Sequence, residues 1–149
     1  MSEPLMSLFP GLRTAFYRIT SPADPNYNCI AWAANDSSSW WWPHEGAPPP
    51  VWPSTAAREL TLDAFVAAFR SLGYVLATEE SLESEIEKIA VFADETGAPT
   101  HAARQLRTGQ WTSKLGQAED IEHELRAIEG EIYGKVALIL KRPRERRTG

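Results

Sequence analysis

The sequence has a single cysteine, Cys29, so it forms no internal disulfide, and any thiol chemistry falls on one atom. No stretch approaches the ~20 consecutive apolar residues that a bilayer span requires. Residues 1–11 carry neither a basic segment nor a long apolar one, so no Sec signal is visible. A soluble, cytoplasmic protein is therefore expected, with export by another route left open. The three histidines, His44, His101 and His123, are scattered without metal-site spacing, and no glycine-rich phosphate loop occurs. Neither a metal nor a cofactor is expected. Positive charge is scarce outside the C-terminus. Lys141 to Gly149 holds five basic residues against Glu145, so of a net charge of −5 the rest of the chain carries −9. A body that acidic disfavours nucleic acid as the main ligand. The oligomeric state is not legible.

What is there reads as one domain. At 149 residues the chain can bury roughly 70% of its unfolded surface. Prolines at 4, 10, 22 and 25 mark residues 1–25 as an N-terminal arm. Residues 26–143 form the domain, and residues 144–149 a basic, solvated tail. Asn28 is placed to cap a helix that starts at Cys29 and runs through Ala34. Trp40 to Pro53, rich in Trp and Pro, reads as a long loop. Leu62, Phe65, Val66, Phe69 and Leu72 recur at helical spacing after a capping Thr61 and before Gly73. Tyr74–Ala77 reads as a strand, residues 79–87 as an acidic connector, and the apolar runs Ile89–Ala93 and Val136–Leu140 as central strands.

Between those runs a hairpin is expected. Pro99–Leu106 and Gln110–Leu115 flank the three-residue loop Arg107-Thr108-Gly109. That register puts His101, Ala103, Gln105, Trp111, Ser113 and Leu115 on one face, and Arg104, Gln110, Thr112 and Lys114 on a solvated one. Asp120 or Glu119 would cap a late helix carrying Ile121, Leu125 and Ile128. A helix on an antiparallel sheet is an α+β fold.

The chemistry follows from placement. Backbone N–H groups at a helix start favour a thiolate, so Cys29 is the candidate nucleophile. Of the histidines, His101 lies on the inward strand face beside small residues and is the candidate base. Ser113 shares that face and can accept a hydrogen bond from the ring. Asp120 has a charge that Ser113 lacks, but nothing in the sequence places it. Tyr27, Asn28 and Trp32 beside Cys29, with Trp41 and Trp42 of the loop, are the candidate substrate-binding residues. Against this stands the plainer reading, in which Cys29 is a small buried hydrophobe.

Tyr27-Asn28-Cys29-Ile30-Ala31-Trp32-Ala33, Thr100-His101-Ala102-Ala103 and Trp111-Thr112-Ser113-Lys114-Leu115-Gly116 resemble an uncharacterised bacterial domain family. The likeness extends through Glu129-Gly130 and Tyr133-Gly134 to Lys141-Arg142-Pro143. More distantly, Cys at a helix start, His on a strand and a polar residue on the next strand resemble the NlpC-type and CHAP peptidoglycan hydrolases. That resemblance implies a papain-like fold and cleavage of a peptide or amide bond, with Cys29 as nucleophile, His101 as base and Ser113 as third member. In those enzymes the third position is usually His, Glu, Asp, Asn or Gln, and Ser113 departs from the pattern. A catalytically silent binding domain of the same fold, or an effector or toxin-associated protein, is the alternative expectation.

Overall fold

The computed structural model describes residues 8–21, 27–34, 41–43, 52–115 and 119–144. Its strands are β1 (Tyr17–Ser21), β2 (Val75–Ala77), β3 (Ile86–Ala93), β4 (Pro99–Gln105), β5 (Trp111–Lys114), β6 (Asp120–His123) and β7 (Lys135–Pro143). They form one antiparallel sheet in the order β1-β6-β5-β4-β3-β7-β2. Two short α-helices, α1 (Cys29–Ala33) and α2 (Leu62–Arg70), and two 3-10 turns, Pro10–Arg13 and Leu125–Ile128, complete it.

Both faces of the sheet are covered, which is why β3 reads as an unbroken apolar run. Successive side chains leave opposite faces of a strand. Ile89 and Val91 therefore enter one core with Cys29, Ile30, Phe65, Phe69, Ala102 and Leu140, under the two α-helices. Ala90 and Phe92 enter a second core with Ala103, Trp111 and Ile121, under Phe9, Leu12, Leu125 and Ile128 of the 3-10 segments. In α2 the Thr61 hydroxyl accepts from the Ala64 N–H, and Phe65 and Phe69 are completely buried. Each such ring contributes about 2–3 kcal/mol relative to exposure.

The architecture is therefore mainly β, and the expected papain-like α+β arrangement is overturned by the seven-stranded sheet, beside which the described residues form two short α-helices. Two segments account for the difference. The spacing of Ile121, Leu125 and Ile128 suggested a late helix. Instead Asp120–His123 is a strand, its Asp and Glu on one face and its Ile and His on the other, and only Leu125–Ile128 winds, as a 3-10 turn. The proline-punctuated arm contains β1, which pairs with β6 at the sheet edge. The acidic connector is also more than solvated chain. Buried Lys88 binds Glu83 at 2.8 Å and donates to the Glu79 and Ser81 carbonyls, pinning the connector against the sheet.

The other strands and the hairpin turn lie close to their expected positions. Gly109 is left-handed at φ +93°, and the 107–109 loop closes with Leu106 N–H donating to Gln110 O at 2.7 Å. The hairpin's polar face is not solvated, however: Thr112 and Lys114 are buried beneath α1 and Tyr27. Of the tail, Arg144 lies 3.6 Å from Glu87, and residues 145–149 lie outside the described residues.

Gly134 has φ +73°, and a Cβ there would sit 2.0 Å from the Ala93 carbonyl oxygen. Gly134→Ala is expected to lower the unfolding free energy by at least about 2 kcal/mol in urea titration, since backbone cannot yield as a flexible side chain can.

Candidate functional site

The site is built from the start of α1. Asn28 is extended, with φ −117° and ψ −177°, and its Oδ1 accepts from Ala31 N–H at 3.1 Å and from Trp41 N–H at 3.0 Å. Its Nδ2 donates to Trp41 O at 2.7 Å. The amide is thus used in capping the helix and clamping the Trp segment to it, and the side chain is buried. The other aromatic candidates divide by exposure. Tyr27 is buried, with its hydroxyl donating to Asp120 Oδ2 at 2.6 Å and its ring 5.1 Å from Lys114 Nζ. Trp41 is buried. Trp32 is half-buried, its Nε1–H donating to Thr112 Oγ1 at 3.0 Å and its ring lying under Arg104. Trp42 is half-buried and meets Phe65 edge-on. Trp40 and His44 lie outside the described residues.

Cys29 is 7% exposed. β4 and β5 pair only at Arg104–Thr112 and Gln105–Trp111. Before that point the backbone N–H of Ala102 lies near enough to Cys29 to favour its charged form, as do those of Ile30 and of Cys29 itself. These three donors and the nearby Lys114 ammonium favour a thiolate, but burial outweighs them and pushes the thiol up to about 11. At rest Cys29 is a neutral thiol.

On the other face of β4 lies a chain of polar side chains. His101 Nε2 is 2.9 Å from Ser113 Oγ, Ser113 Oγ is 2.7 Å from His123 Nε2, and His123 Nδ1 is 2.6 Å from the Glu124 carbonyl oxygen. His101, Ser113 and His123 are all completely buried. Burial holds His123 down at about 4 and His101 well below the usual imidazole range. His101 stacks on Tyr133 at 3.9 Å and meets Phe92 edge-on, and its Nδ1 has no hydrogen-bond partner among the described residues. Tyr133 is held in place by Thr100, whose hydroxyl donates to the Tyr133 carbonyl. Burial, and secondarily the charge that Cys29 would carry, push the Tyr133 phenol above its ordinary range.

Of the candidate residues, His101 and Ser113 are thus in direct contact. Cys29 is not hydrogen-bonded to His101. It lies near the backbone of the next residue, Ala102, whose side chain leaves the opposite face of the strand, while His101 stacks on Tyr133. Asp120 is on the α1 face with Tyr27 and does not orient the imidazole. Sequence reasoning missed His123 and Tyr133. The alternation Asp120-Ile121-Glu122-His123 was the available signal for His123, because it puts that residue on the same face as Ser113. Tyr133 entered only as part of the Tyr133-Gly134 segment of the family likeness, with no role attached to it. A cleft of about 630 Å³ lined by Asp94, Glu95, Glu129, Glu131 and Lys135 opens beside Gly134, next to Tyr133 in the chain.

Among the described residues no helix is long and apolar enough to cross a membrane. The family described as "Domain of unknown function (DUF7689)" matches residues 18–141, which include Cys29, His101, Ser113, His123 and Tyr133, and the chain belongs to that family. No curated protein and no solved structure matches the chain.

Both buried histidines have folded-state pKa values below their unfolded ones, so acid favours the unfolded chain. Their stabilisation is complete above the unfolded value of 6.5 and is lost as pH falls through the window toward about 4. Urea titrations from pH 7 to 4.5 are expected to show stability falling by about 1.4 kcal/mol per pH unit for each histidine. In His123→Gln the fall is expected to be shallower by about one such increment.

Proposed function

We propose that this member of the family is a cysteine hydrolase acting on an amide or peptide bond, in which Cys29 attacks the carbonyl carbon and His101 takes the thiol proton. The observation that carries the reading is the buried Nδ1 of His101, without a hydrogen-bond partner among the described residues and one residue along the strand from Ala102, whose N–H favours the Cys29 thiolate. Three backbone N–H groups near Cys29 favour its thiolate, and donors at such a helix start also suit the oxyanion that forms when a carbonyl carbon is attacked there.

Burial makes the resting pair a neutral thiol and a neutral imidazole, so the proton moves during attack instead of beforehand. Attack forms the C–S bond as the S–H bond breaks. The proton goes to His101 Nδ1 and the carbonyl π pair to oxygen. Collapse of the tetrahedral species expels the amine, which receives that proton, and water then hydrolyses the thioester.

One observation favours a second reading, a catalytically silent binding module that uses the half-exposed rings of Trp32 and Trp42: the thiol is almost fully buried and makes no bond to His101. Burst kinetics with p-nitrophenyl acetate separate the two. For the hydrolase, acylation of Cys29 is expected to be nearly flat from pH 6.5 to 8.5, because the base is already unprotonated. In His101→Ala it is expected to fall by roughly 10²–10³ at pH 7 and to climb tenfold per pH unit toward the thiol's own value of about 11. A thiol that acylates in neither protein until urea unfolds it would make the chain a binding module.

A further inference from the structure

The polar chain behind His101 has a direction. The Glu124 carbonyl oxygen has no proton to give, so His123 Nδ1 carries the hydrogen in their 2.6 Å contact. Neither buried ring hydrogen-bonds to a carboxylate among the described residues, so both are neutral and each holds one N–H. His123 Nε2 is then a bare acceptor, and at 2.7 Å it takes the one proton of the Ser113 hydroxyl. Ser113 Oγ has only lone pairs left for His101 Nε2 at 2.9 Å, so that nitrogen must donate. Nδ1 of His101 is left with a lone pair and no partner, as observed. Reversing the chain would set a bare His123 Nδ1 against a carbonyl lone pair at 2.6 Å. A hydroxyl with no charge of its own thus transmits a tautomer preference that originates in a backbone carbonyl.

We propose that His123 is a positioning residue of this site: anchored on the Glu124 carbonyl and acting through Ser113, it holds His101 as the Nε2–H tautomer and so keeps Nδ1 bare to receive the Cys29 proton. The inference rests on the reading of Cys29 and His101 as nucleophile and base. No proton travels along the chain during the reaction. The thiol proton enters at Nδ1 and leaves from Nδ1 to the departing amine, while the Nε2–H, the Ser113 hydroxyl and the His123 Nδ1–H stay where they are. The Ser113 oxygen faces the positive charge that develops on His101, and its bond to His123 keeps it turned that way.

Imidazole ¹⁵N chemical shifts and two-bond ¹H–¹⁵N correlations report the tautomer without any substrate. The full chain is expected to show His101 as Nε2–H and His123 as Nδ1–H. In His123→Phe the Ser113 hydroxyl loses its acceptor and turns its proton toward His101 Nε2. His101 is then expected to become predominantly Nδ1–H, and the p-nitrophenyl acetate burst rate at pH 7 to fall about tenfold. His123→Gln, whose Oε1 can accept from Ser113, is expected to restore both the tautomer and most of the rate. It also keeps the test open if the Phe variant fails to fold. An Nδ1–H His101 in the unmodified protein, or a tautomer and rate indifferent to both substitutions, would overturn the inference. Absence of a burst in the unmodified protein would instead sink the hydrolase reading, and with it the catalytic role of His123.

Discussion

The site depends on one backbone N–H that the sheet does not use. Ladder pairing between β4 and β5 stops at Arg104–Thr112, and the Ala102 N–H beyond it lies near Cys29 and favours its thiolate. Had the ladder continued, that donor would have been spent on β5 and α1 would have had nothing to dock its first residue against. α1 itself is only five residues long, too short to be stable alone, and its start is held by the Asn28 side chain, which bonds the helix and the Trp41 backbone together. The helix start, the interrupted ladder and the Trp segment therefore stand or fall together.

Burial sets the electrostatics. The thiol is raised and the imidazoles are lowered for the same reason, loss of water around the charged form. A site of this kind does not store a thiolate–imidazolium pair. The neutral thiol lies on one face of β4, and on the other the hydrogen bonds behind His101 leave its Nδ1 lone pair free. Ser113 brings no charge to the polar chain behind His101. In sequence with His123 and the Glu124 carbonyl, it needs only to pass on a direction.

The sequence shows how far a pattern can be read without its partners. Cys29 at a capped helix start, the α2 stripe and the register that puts His101 and Ser113 on one face were all legible, because each depends on neighbours within a few residues or on one turn. The mainly β architecture was not legible. Asp120–His123 has a single aliphatic residue and becomes a strand only because β5 and β1 lie on either side of it. Lys114 looked solvated for the same reason: on the hairpin alone its face is open, and Tyr27, far away in sequence, is what covers it. Tyr133 reaches His101 through the tight Gly130–Gly134 closure, a contact with no periodic signature.

The central claim is that Cys29 and His101, which approach neighbouring residues of one strand from different faces, come into contact when the sulfur reacts. A crystal structure of the chain alkylated at Cys29 with a chloroacetamide tests this most directly. The account predicts His101 Nδ1 within about 3.5 Å of the adduct's carbonyl oxygen or amide nitrogen, with the Ser113 and His123 bonds intact. A ring still stacked on Tyr133 with Nδ1 facing away from the adduct, across an undisturbed β4, would contradict it.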